Sequence, residues 1–206
     1  MCCFHGDECD CLEKTPLTNL FPGRKTMKEY LTLYDENGRD TGFVQQRGTG
    51  VCPGAYYQVV SIFTQDEVGL LLATRRSGQK VSFPHCWEVT GGCVQAGKDS
   101  HSAAARELEE ETGLVPWKME HLGSFSTPTF SGGAFFRVEV YRTRVRGLAP
   151  ALKMQEGEVE DYRWVRPQQL EELFRGLPGR MISPLAWKYI QDHKVGPADQ
   201  GGNSHE

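Results

Sequence analysis

The sequence predicts an α/β fold in which a central mixed sheet is sandwiched between helices. Three observations carry that prediction. Stretches with strand character stand on both sides of one central helical segment, residues 99–113. Two further helical patterns, 167–175 and 183–192, close the chain. No internal repeat or change of composition marks a second domain, so the elements must share one core. The 206 residues, 38% hydrophobic and 24% charged, are enough to build it. The expected organisation is a domain over 25–193, a flexible Cys-rich segment at 1–24 and a disordered polar tail at 194–206.

Taken in order, the first segment holds Cys2, Cys3, His5, Cys9 and Cys11. Thiolates and imidazole are zinc ligands, but the paired C-x2-C knuckles of a strong zinc site are missing. A reduced tail, dispensable for catalysis, is the expectation. Residues 29–34 then alternate as a strand, Asp35–Gly38 with its Asn-Gly pair is a turn, and 41–46 reads as the return strand. Ala55–Thr64 is rich in aromatic and β-branched residues, and 69–76 carries four consecutive apolar residues, the mark of a strand covered on both faces. Residues 83–92 lead into the central helix, with Trp87 expected in the core. Residues 121–127 and 135–144 read as strands, followed by an acidic loop, 155–161, that runs into a short strand ending at Val165. Pro167 suits the first turn of a helix, and Ser183-Pro184 opens the last one.

Composition also limits function. A net charge of -4 without a Lys/Arg run argues against nucleic acid as a partner. No apolar run reaches membrane-spanning length, and the polar start MCCFHGDECDC is not a signal peptide. Seven cysteines, an odd number, suit reduced thiols in the cytoplasm better than a disulfide framework.

The central helix breaks local rules. Asp99 or Ser100 can cap it, Gly113 can stop it, and Ala104, Leu108 and Thr112 form a stripe fit for a core. Glu107, Glu110 and Glu111 share one face at i, i+3 and i+4, where each like-charge pair opposes the helix by roughly 0.2–0.5 kcal/mol. Glu110 and Glu111 also sit in the last turn, where the helix dipole disfavours anions. Arg106 relieves only part of this. A divalent cation would supply the rest, because hard cations take several carboxylate oxygens.

The spacing of Gly92, Arg106, Glu107, Leu108, Glu110, Glu111, Gly113 and Leu114 resembles the Nudix box, the signature of hydrolases acting on a nucleoside diphosphate linked to another moiety. One position departs: the family's first Glu, six residues after the leading Gly, is Lys98 here. The resemblance implies the α/β/α sandwich over roughly 28–192, a small-molecule diphosphate substrate, and Mg²⁺ or Mn²⁺ on Glu107, Glu110 and Glu111. It also implies a catalytic carboxylate, either in the box (Glu110) or in the loop before the last strand. Glu158 occupies that loop, with Glu156 and Glu160 as substitutes. Arg106 would orient and partly neutralise the acidic cluster. Gly92 would allow close backbone approach, and Arg75 and Arg76 could reach a substrate phosphate. His85 and His101 are candidate proton carriers, His101 being more consistent with packing near Leu108. Specificity is expected from loops 127–133 and 147–158.

The opening YLTLYDENGRDTG is similar to Nudix proteins related to isopentenyl-diphosphate isomerase. That enzyme uses a reactive Cys just before the box and a protonating Glu. Cys93 is near, but Gly91-Gly92 occupies the aligned place. Lys98 motivates a third reading, a non-catalytic binding protein. For an enzyme, Lys98 predicts weakened cation affinity with hydrolysis retained, and Lys98→Glu would tighten it.

Overall fold

The computed structural model describes residues 29–50, 52–129 and 133–193. The segment 1–24, with its cysteines, and the tail 194–206 lie outside the described residues, as does the middle of loop 127–133.

Among the described residues, nine strands join one mixed sheet and three helices cover it. A hairpin, β1 (Tyr30–Tyr34) and β2 (Asp40–Gln46), turns at Asp35–Gly38, where the Asp35 carboxylate accepts from the backbone of Asn37 and Arg39. Gly38 has the positive φ of 75° that this turn requires. The centre of the sheet is β3 (Tyr56–Gln65), which runs antiparallel to β1, β4 (Leu71–Arg76) and β6 (Thr90–Cys93) and parallel to β8 (Phe135–Arg144). Strand β7 (Lys118–Pro128) extends the sheet beyond β8. On the other side, β4 pairs antiparallel with both β5 (Trp87–Glu88) and β9 (Val159–Val165).

Alternation along these strands separates two cores. Val59, Phe63, Leu71, Ala73, Val138 and Val140 face α2 (Pro167–Phe174) and α3 (Ile182–Asp192), meeting Leu170, Phe174 and Ala186. Val60, Ile62, Leu72 and Tyr141 face α1 (Ser100–Thr112), meeting Ala103, Ala104 and Leu108. Leu71-Leu72-Ala73 therefore serves both faces, as four apolar residues in a row predicted. Each fully buried Leu, Ile or Phe removes enough apolar area to contribute about 1.5–3 kcal/mol, and Phe63, Ile62, Leu72 and Leu108 are of that kind.

Helix α1 is set by its ends. The Asp99 carboxylate accepts from Ser102 N at 2.8 Å, and Gly113, at φ 71°, donates its N–H to Glu109 O. Residues 83–92 depart from the expected plain connection. They contain β5, two residues long, and the first three of the four residues of β6, which lies beneath α1. Trp87 is half-buried against the first core, with the Arg163 guanidinium 4.7 Å from its ring centre. Cys86 and Cys93 are free thiols, and Cys52 is buried. No helix among the described residues is long and apolar enough to cross a membrane.

Candidate active site

One cavity of about 640 Å³ opens where α1, β5, β6 and the loops after β2, β4 and the 147–158 stretch converge. Six acidic residues line it (Glu29, Glu88, Glu107, Glu110, Glu111 and Glu158), against four basic ones (Arg47, Arg76, Lys80 and Arg106). When all are ionised, the wall carries an excess of two negative charges.

The helix supplies the floor. Glu107 and Glu111, one turn apart, are both buried. Glu107 pairs with Arg106 at 2.6 Å, and burial raises its carboxyl above the ordinary range against the lowering pull of that guanidinium. Glu111, only 8% exposed, makes no side-chain hydrogen bond or ion pair with any described residue. Its carboxyl is driven well above the usual range, first by burial, then by the charges of Glu88, Glu107 and Glu158, with Lys80 opposing. A buried anion without a partner is costly, and a chain keeps one where something else completes it. Glu110 differs from its two neighbours: its side chain is 50% exposed at the rim and held by Arg106 at 2.7 Å.

The facing wall holds Glu158, paired with Lys80 from the loop after β4, and Glu88 on β5, paired with Arg76 at 2.7 Å. Among the described residues no three His, Cys, Asp or Glu side chains form a ready-made metal group, because Glu107, Glu88 and Glu158 are each turned to a basic residue. The donor set nevertheless suits a hard divalent cation: oxygen ligands only, one of them unpaired and buried, in a wall with two negative charges to spare.

Several expected residues fall elsewhere. Arg75 and Arg76 are neighbours on a strand, so their side chains leave opposite faces. Arg76 lines the cavity, whereas Arg75 lies outside it, donating from Nε to His85 O at 3.0 Å and pairing with Glu160 at 3.1 Å. Glu160 is likewise outside, bound to His85 at 2.8 Å and to Gly78 N at 2.9 Å, and the His85 contact lowers its carboxyl. Glu156 is exposed and off the cavity wall. His101, expected to pack, is exposed, on the side of the first turn of α1 opposite the buried Ala103, and it meets the Tyr141 ring edge-on at 6.1 Å. Lys98 is also exposed and off the wall, in the turn before α1, and it is not among the charges that bear most on Glu107 or Glu111. Its ammonium is therefore set apart from the acidic cluster on the cavity wall.

Glu88 and Lys80 were not legible as site residues, since neither has a spacing relation to the helix. Ser61 Oγ and Thr129 Oγ1 also went unnoticed; both are buried, lie on lining residues and have no protein partner among the described residues. Gly92 has a sharper role than backbone approach: a Cβ there would strike the Glu107 carboxylate. Gly92→Ala is accordingly expected to displace Glu107, costing about 1–3 kcal/mol of stability and weakening Mg²⁺ binding at least about tenfold. A thermal melt and an Mg²⁺ titration check this, and unchanged binding would show that Glu107 has room to spare.

This arrangement has relatives. The NUDIX domain family matches residues 55–187, well over half the chain. An uncharacterised Nudix hydrolase of Listeria monocytogenes is 30% identical over 142 residues, covering 68% of this chain and 82% of that protein. An isopentenyl-diphosphate Delta-isomerase of Cutibacterium acnes is 30% identical over 178 residues, covering 82% and 88%. Among solved structures, a Deinococcus radiodurans protein superimposes with a TM-score of 0.62 at 23% identity over 80% of this chain and 98% of its own, a likeness of fold. With the box glutamates on α1, the glycine that accommodates Glu107 and the sandwich all in place, the chain is a member of the Nudix hydrolase family.

Proposed function

We propose that this protein hydrolyses the diphosphate linkage of a nucleoside diphosphate-linked or related small molecule by attack of an activated water, with Mg²⁺ or Mn²⁺ as cofactor. The observation that carries the reading is Glu111, a buried carboxylate without a side-chain partner among the described residues, beside Glu107 in a wall with two surplus negative charges. Glu107 and Glu111 would hold the cation, with Glu110 contributing from the rim. When bound, the metal neutralises phosphoryl oxygens and lowers the pKa of the attacking water.

The remaining roles belong to the chain. Arg106, bonded to both Glu107 and Glu110, orients these two carboxylates. Glu158 lies on the cavity wall and is the general base, held by Lys80 until substrate arrives. Arg76 is the one of the two neighbouring arginines placed to meet a substrate phosphate. A cytoplasmic location suits the reduced thiols and a soluble diphosphate substrate.

The direct test is an assay of the full chain with Mg²⁺ against nucleoside diphosphate conjugates, nucleotides and isopentenyl diphosphate, following phosphate-ester products. Binding without turnover of any of them would favour the non-catalytic reading. Glu158→Gln should cost on the order of 10²–10⁴ in rate, the usual contribution of a positioned base, while leaving Mg²⁺ affinity close to that of the parent. A loss below about tenfold would assign the base elsewhere.

Isopentenyl diphosphate isomerisation is the second reading, favoured by Cys93 on the cavity wall and by the Cutibacterium relative. Two features weigh against it. Burial pushes the Cys93 thiol up, away from the reactive thiolate. At Gly91, a Cβ would strike Val60 O, so the aligned position has no space for a thiol. Cys93→Ser should therefore leave hydrolysis within a few-fold. Loss of isopentenyl diphosphate isomerisation in that variant, with no hydrolysis by the parent, would reverse the order of the two readings.

A further inference from the structure

The box of this chain lacks one carboxylate, and the cavity contains Glu88, which the box does not supply. Lys98 stands in the missing place but lies exposed, off the wall. Glu88 lines the cavity from β5, which the pairing Thr74↔Glu88 attaches to β4. Val89 and Thr90, the next two residues, are buried at 2% and 1% exposure, so the backbone that carries Glu88 is fixed.

We propose that Glu88 is a further ligand of the cation site, completing with Glu111 and Glu107 the oxygen set that Lys98 leaves short. This rests on the metal-dependent reading above. Two observations lead to it. Glu111 is buried, lines the same cavity and has no side-chain partner among the described residues, so a ligand-facing group already exists there. Glu88 makes a single hydrogen bond among the described residues, Arg76 Nη1 to its Oε1 at 2.7 Å, and its Oε2 accepts none. Glu88 and Glu111 open on one cavity, and a hard cation takes several carboxylate oxygens, so the two suit one ion. Arg76 then has a definite part. It neutralises Glu88 in the metal-free chain, and its guanidinium, also anchored to Ser82 O at 2.9 Å, keeps a fixed place when the cation takes over.

The test is Mn²⁺ binding to the full chain, measured by electron paramagnetic resonance and calorimetry with no substrate present. Glu88→Gln should weaken Mn²⁺ at least about tenfold with an unchanged circular dichroism spectrum. Arg76→Gln should bind Mn²⁺ as tightly as the parent or more tightly, because it releases Glu88. Lys98→Glu should stay within about twofold, since an exposed charge off the wall is screened. If Glu88→Gln does not fold, Glu88→Asp replaces it: the charge stays, the reach shortens, and weaker Mn²⁺ binding is again expected. Parental affinity in Glu88→Gln or Glu88→Asp would overturn the proposal. So would equal weakening in Arg76→Gln, which would mean that the pair only braces the wall. A parent chain that binds no Mn²⁺ would overturn the metal-dependent reading itself, an outcome visible before any variant is compared.

Discussion

Glu111→Gln is expected to lower the hydrolytic rate on the order of 10³-fold, about 4 kcal/mol of barrier, and at the same time to raise the melting temperature of the metal-free protein. Both effects have one cause. Glu111 is buried beside Glu88, Glu107 and Glu158 with no side-chain partner among the described residues, so above the ordinary carboxylate range its ionisation opposes folding until a cation arrives. An amide of the same shape removes the repulsion and the ligand together. Each kcal/mol recovered should move the midpoint by about 2–4 °C for a domain of this size. Mg²⁺ should raise the midpoint of the parent and leave that of the variant nearly unchanged. A variant that is less stable than the parent without metal, or that keeps its rate within tenfold, would show that Glu111 is an ordinary structural residue.

Chelation should be still more severe. Removing divalent cations is expected to abolish turnover, and Mg²⁺ or Mn²⁺ should restore it in proportion to occupancy. A diphosphate bridge is anionic, and this wall is anionic too, so without a cation the chain repels its substrate. The basic groups do not substitute, because Arg47, Arg76, Lys80 and Arg106 are each committed to a carboxylate. Full activity in exhaustively chelated protein would remove the metal from the mechanism.

Much of the scaffold was readable because its signals are local. The caps of α1 are single residues with a fixed task, Asp99 accepting from Ser102 N and Gly113 turning into left-handed backbone. Strand β8 has its observed bounds in the alternation of Phe136, Val138 and Val140 with Arg137, Glu139 and Tyr141. The short strands β5 and β6 were not readable: two residues show no period, and Gly91-Gly92 has no side chains to alternate. The helix face announced Glu107 and Glu111, since spacing alone puts them together. Their difference from Glu110 was hidden, because it depends on what α1 packs against. Glu88 and Lys80 reach the cavity only through the pairing of β5 with β4 and the path of the next loop, and no motif spacing encodes either. The two arginines were half readable. Strand parity requires one of Arg75 and Arg76 to face away, but choosing which one needs the sheet.

The ten-residue parallel pairing of β3 with β8 has a consequence for how the chain is made. Its partners stand about 80 residues apart, a long-range closure that is slow to form and comes late in synthesis. Until β8 leaves the ribosome, the apolar β3 can meet β1, β4 and β6, but its opposite edge is bare. That edge belongs to YYQVVSIFTQ, a segment with no charge and no proline, the kind that joins other chains when left unpaired. A nascent chain halted between the box helix and β8 would therefore hold the complete Nudix signature and still depend on a holdase to stay soluble.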